Sequence, residues 1–134
     1  MSLEFRNEPL LDFSRDDAAR AAQQAALDAF MPVDAPIVIG GHRISTRSRI
    51  VSHNPCEPQR IVGRASKAGK TQAEKALRTA HEAFPAWSRT DPGKRADILF
   101  RAARLLRERR FELNALLILE VGKTWPEADA DTAE

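Results

Sequence analysis

The stretch 111–121, FELNALLILEV, constrains this chain more than any other, because its apolar residues leave a helix no wide polar face. Leu113, Leu116, Leu117, Ile118 and Leu119 point in almost every direction around the helix axis, so they need cover on several sides. Gly122 is the natural stop, since glycine accepts the left-handed conformation that ends many helices. The rest of the chain has to supply the neighbours of this helix.

Local signals predict several further helices. Asp91 is a good N-cap and Pro92 sits where a missing N–H costs nothing. Ile98, Leu99, Ala102, Leu105 and Leu106 then recur at helical spacing, with Arg95, Arg101, Arg104, Arg107 and Arg109 on the remaining surface. Upstream, Thr71 followed by Glu74 reads as a capping box. Ala73, Ala76, Leu77, Ala80 and Phe84 trace an apolar face behind it, continued by Trp87 beyond Pro85. Ser14, with Asp17 three positions on, opens an alanine-rich helix to about Phe30, closed by Pro32 and Pro36. A last helix begins at Pro126. Its Glu127, Asp129, Asp131 and Glu134 leave no basic residue at the negative pole and no glycine stop, which predicts an amino-terminal fragment of something longer.

Strand signals are fewer. Residues 37–39 and 42–44 flank Gly40 and Gly41, two residues that accept positive φ in a tight hairpin. Residues 49–52 and 60–65 are further short strand candidates, separated by the turn-rich Asn54-Pro55-Cys56-Glu57-Pro58. No internal repeat or domain boundary is visible.

Composition narrows the partners. The 21 basic and 19 acidic residues are interleaved, giving a formal charge of +2, so neither nucleic acid nor a membrane surface is implied. Aromatics make up only 6% with no tyrosine, a poor base-stacking platform. The longest strongly apolar run, 115–119, is far too short to cross a bilayer, and no basic leader opens the chain. A cytoplasmic protein is expected, and the single cysteine suits a reducing compartment.

No residue carries chemistry on its own spacing. Residues 63–71, GRASKAGKT, imitate a phosphate-binding loop, but five residues rather than four separate Gly63 from the Gly69-Lys70 pair. Cys56 has Pro55 and Glu57 as neighbours, and an adjacent carboxylate opposes thiolate formation. His42, His53 and His81 are too far apart in sequence for a local metal-ligand pair. The arginine-rich helix alternates with Glu108 and Glu112 and is expected to be a solvated face, as are Asp129, Asp131 and Glu134. No catalytic, cofactor-binding or metal residue is therefore assigned.

Three motifs in order carry a resemblance: FPAW at 84–87, R-A-x-I-L at 95–99 and EVGKT at 120–124. Together they resemble the amino-terminal region of NAD-dependent aldehyde dehydrogenases. FRNEPLLDF at 5–13, IGGHRI at 39–44, VSHNPCEPQRIVG at 51–63, KAGK at 67–70 and residues 120–134 are similar to one branch, the 1-pyrroline-5-carboxylate dehydrogenases. The resemblance implies an α/β fold, here the amino-terminal part of a doubly wound architecture, mostly helices with a few short, partly antiparallel strands. It implies that 1–134 is the amino-terminal portion of the NAD-binding domain, with the catalytic domain absent. The implied activity is oxidation of L-glutamate γ-semialdehyde to L-glutamate by a homo-oligomer. The NAD site, the nucleophilic cysteine, the glutamate base and the oxyanion-holding asparagine all lie outside this chain, so the fragment alone is expected to be inactive. Glu134 aligns with a helix glutamate that lies near the amino group of the substrate, an amino-acid aldehyde, in that branch. Two other readings stay open: another aldehyde dehydrogenase with a different aldehyde, or a noncatalytic helical interaction module that uses the basic face.

Overall fold

The central apolar stretch forms α4 (Arg110–Val121) in the computed structural model, which describes residues 7–134; Phe5 and Arg6 of the 5–13 match lie outside the described residues. Before it come α1 (Asp17–Asp28), β1 (Val33–Ala35), β2 (Ile37–Ile39), β3 (His42–Ile44), β4 (Arg49–Asn54), β5 (Glu57–Ser66), α2 (Lys70–Trp87) and α3 (Pro92–Glu108), and after it α5 (Trp125–Ala133). Helix α4 packs against α1, α5, β4 and β5 and touches α3, so the cover its sequence demands comes from several sides. Asn114, Ala115 and Leu119 are its buried residues, and Gly122 closes it at φ +72°, its N–H bonding the Ile118 carbonyl at 3.0 Å.

The strands form two small sheets. In one, β5 is central, flanked by antiparallel β4 and parallel β1; in the other, β2 and β3 make the expected hairpin, with Gly40 and Gly41 both at positive φ. The partly antiparallel character implied by the resemblance is thus present, along with one strand that sequence reading missed. Three residues between two prolines carry no periodicity to read, yet Val33–Ala35 pairs with residues 63–65, some thirty positions away. The expected five-residue turn at 54–58 shrinks to Pro55 and Cys56, because Glu57 and Pro58 already belong to β5 and the β4–β5 register shifts at His53 and Asn54.

Gly63 shows why a small residue is needed where β1 meets β5. A Cβ built there would sit 3.0 Å from the Val33 carbonyl oxygen, a backbone atom that cannot swing aside. Gly63→Ala should therefore lower stability by about 1–3 kcal/mol, read as the midpoint of urea unfolding. An unchanged midpoint would mean that β1 shifts without cost.

Two helix starts differ from expectation. The N-cap of α1 is Asp16, whose carboxylate accepts the Ala19 N–H at 2.9 Å, while Ser14 lies in the preceding turn and bonds Asp12. That helix also ends at Asp28, two residues before Phe30. Helix α2 starts one residue ahead of Thr71, with Gly69 as N-cap and its N–H bonded to the Gln72 side chain at 3.0 Å. At α1 the Asp16 carboxylate rather than the Ser14 hydroxyl reaches the free N–H groups, and at α2 no side chain does, since the N-cap is a glycine. By contrast α3 begins as read, with Asp91 accepting from Lys94 N–H at 3.2 Å and Pro92 in the first turn.

The apolar faces of α2 and α3 exist as helical stripes but are not covered within this chain. No residue of either helix is buried, and Leu77 and Leu99 are 74% and 71% exposed. The core instead lies under α1, α4 and α5, where Phe13, Ala19, Ala115, Leu119 and Ala128 are buried.

Candidate functional site

A buried polar cluster lies where α4 meets α5. Asn114 stands one turn after Arg110 on α4, so the two share a face, and that face meets Asp129 of α5. Asp129 is fully buried and accepts four hydrogen bonds: from Arg110 Nε at 2.6 Å, Arg110 Nη2 at 2.7 Å, Asn114 Nδ2 at 3.1 Å and the Leu11 N–H at 2.8 Å. Burial by itself pushes this carboxyl up. The bonds from Arg110, Leu11 and Asn114, together with the charge of Arg110, outweigh it and hold the group below the usual aspartate range.

The segment 7–13 crosses over this cluster. Glu8 takes a two-pronged ion pair from Arg107, with Nε and Nη2 at 2.9 and 2.6 Å, and Arg110 Nη2 donates to the Pro9 carbonyl at 2.8 Å. The hydrogen bond from Arg107 is the main reason the Glu8 carboxyl is held below its ordinary range. Phe13 meets Trp125 edge to face, with ring centroids 5.5 Å apart. Thr124 caps α5, its N–H and hydroxyl both donating to Glu127, at 2.9 and 2.7 Å.

Glu134, the one residue singled out for substrate contact, stands exposed at the end of α5, its N–H bonded to the Ala130 carbonyl at 3.1 Å. It lines a crevice of ≈ 450 Å³ together with Glu8, Leu10, Arg107 and Ala133. The expectation that Asp129 is solvated acidic surface is wrong, and Arg110 was not singled out at all. The available signal was Asn114, an amide inside an apolar run, one turn after an arginine and followed by an aspartate between Ala128 and Ala130.

In 63–71, Gly63 is inside β5, the Lys67 N–H bonds the Ser48 carbonyl at 3.0 Å, and the Gly69 N–H bonds Gln72, so these N–H groups are not converging on a phosphate. Cys56 is exposed in the β4–β5 turn, where its N–H bonds the Asn54 side chain at 2.9 Å. His53 Nδ1 lies 2.8 Å from the Pro58 carbonyl oxygen, and among the described residues no three His, Cys, Asp or Glu side chains gather as a metal site. On the basic helix, Arg104, Arg107 and Arg109 are paired with Glu108, Glu8 and Glu112. Among the described residues no helix is long and apolar enough to cross a membrane.

Comparison with known proteins bears directly on this arrangement. The model of the aldehyde dehydrogenase family matches residues 43–134. The 1-pyrroline-5-carboxylate dehydrogenase of Geobacillus kaustophilus is 52% identical over 133 residues, covering 97% of this chain and 26% of that protein. Among solved structures, the Thermus 1-pyrroline-5-carboxylate dehydrogenase with bound NAD is 43% identical with a TM-score of 0.94, covering 99% of this chain and 26% of that one. The Δ-pyrroline-5-carboxylate dehydrogenase from Mycobacterium tuberculosis is 27% identical with a TM-score of 0.89, covering 98% and 25%. The chain thus spans about a quarter of the length of the relatives it matches. With the family model covering well over half of its residues, the chain belongs to the aldehyde dehydrogenase family.

Proposed function

We propose that this chain is the amino-terminal quarter of a dehydrogenase that oxidises L-glutamate γ-semialdehyde to L-glutamate with NAD. The observation that carries this reading is the likeness to the NAD-bound Thermus 1-pyrroline-5-carboxylate dehydrogenase over 99% of the chain at 43% identity. The segment is the opening portion of the cofactor-binding domain, and the uncovered apolar faces of α2 and α3 support a seat against further polypeptide. A homo-oligomer in the cytoplasm is the assembly and location that go with this reading.

The chemistry divides between the two parts of the protein. NAD supplies the hydride acceptor, and in 63–71 the Lys67 and Gly69 N–H groups are taken by the Ser48 carbonyl and the Gln72 side chain, so those two offer nothing to its phosphates. The nucleophilic cysteine and the general base belong to the remainder. What this segment supplies is a rigid floor and Glu134, whose carboxylate pairs with the ammonium of the substrate and so favours an amino-acid aldehyde.

The test is NADH formation by the complete protein. L-glutamate γ-semialdehyde should be used with a kcat/KM about tenfold or more above that for butanal, which has no charged groups. Equal use of butanal would instead favour an aldehyde dehydrogenase of different specificity.

A further inference from the structure

Residues 7–13 reach three helices, two of which, α4 and α5, are already joined through Arg110, Asn114 and Asp129. Glu8 grips Arg107 of α3, Pro9 accepts from Arg110 of α4, Leu11 donates to Asp129 of α5, and Phe13 packs on Trp125 at the start of α5. Helix α5 is tied at Trp125, which Phe13 meets, and at Asp129, to which Leu11 donates. Its rotation and tilt are set from outside. Asp129, with both oxygens bonded and Ala128 buried beside it, cannot turn without breaking four hydrogen bonds.

We propose that the strap 7–13, Arg110 and Asp129 form a clasp that positions α5, and with it Glu134, for selection of the amino-acid aldehyde; this rests on the substrate reading above. Glu134 follows Asp129 by five residues, about 7.5 Å along the helix axis, so a small rotation at the clasp displaces its carboxylate by a comparable arc. Glu8 and Arg107 line the same crevice as Glu134, and their ion pair neutralises that guanidinium. Released from Glu8, Arg107 would compete with the substrate for Glu134. Glu8, Arg110 and Asp129 are positioning residues in this scheme, acting through Glu134.

The experiment compares Glu8→Ala, Asp129→Asn and Glu134→Ala in the complete dehydrogenase, each alone and each clasp variant combined with Glu134→Ala. KM and kcat are measured with L-glutamate γ-semialdehyde and with butanal. Each clasp variant should raise KM for the amino-acid aldehyde by about three- to tenfold, leave kcat and butanal oxidation within about twofold, and add nothing further to Glu134→Ala. Parallel losses on both aldehydes, unchanged selectivity, or full additivity with Glu134→Ala would overturn the clasp. If Asp129→Asn fails to fold, Glu8→Ala decides, because its ion pair with Arg107 lies at the surface. Should Glu134→Ala alter selectivity while the clasp variants do not, only the clasp falls. Should Glu134→Ala itself leave selectivity unchanged, the substrate reading falls and the clasp with it.

Discussion

Glu134→Ala in the complete dehydrogenase is expected to lower kcat/KM for L-glutamate γ-semialdehyde by about ten- to over a hundredfold while sparing butanal. The magnitude follows from the proposed charge-assisted hydrogen bond between the Glu134 carboxylate and the substrate ammonium, worth about 1.5–3 kcal/mol. The discrimination follows from the partner, since butanal has no ammonium to lose. The structure puts this residue on a crevice, five positions after the Asp129 that Arg110 holds. Glu134→Gln should recover part of the loss, because an amide oxygen still accepts from the ammonium but without the charge. Steady-state kinetics on both aldehydes check this, and equal losses on the two would assign Glu134 a purely structural role.

Asp129→Ala carries the largest expected cost in stability. It would leave the Arg110 guanidinium, 11% exposed, without its main counter-charge, and the Leu11 N–H and Asn114 amide without their acceptor. Removing one partner of such a pair costs about 3–5 kcal/mol. The ties of Arg110 to Glu8 at 3.9 Å and to the Pro9 carbonyl favour the lower end. The midpoint of urea unfolding should fall accordingly. Replacing both charges, Asp129→Leu with Arg110→Met, should restore only part of the loss, since the Leu11 N–H would still be buried without an acceptor. A midpoint within experimental error of the parent for Asp129→Ala would show that the cluster contributes nothing.

The same carboxylate sets an acid limit. Its folded value is depressed, so its stabilisation is fully present above the unfolded aspartate pKa of about 3.9 and is lost as pH falls through the lower folded value. The parent should lose stability through that window, and Asp129→Asn should lack this part of the acid dependence.

The sequence by itself determined the elements whose causes are local. Asp91 and Pro92 start α3, Gly40 and Gly41 turn the β2–β3 hairpin, and Gly122 stops α4, because each outcome depends on backbone preferences within a few residues. The all-round apolarity of 111–121 also foretold a central helix covered from several sides. It did not determine which polar groups are inside. Asp129 looks like its neighbour Asp131 in composition, yet one is fully buried and the other is exposed in an ion pair with Lys123. The difference is made by Leu11, Asn114 and Arg110, which reach it from 118, 15 and 19 positions away. Strand β1 is similar, since three residues between prolines become a strand by pairing with residues 63–65 of β5, some thirty positions away. A charge is buried when its donors arrive from elsewhere in the chain, and that convergence is a property of the packed structure rather than of any segment read alone.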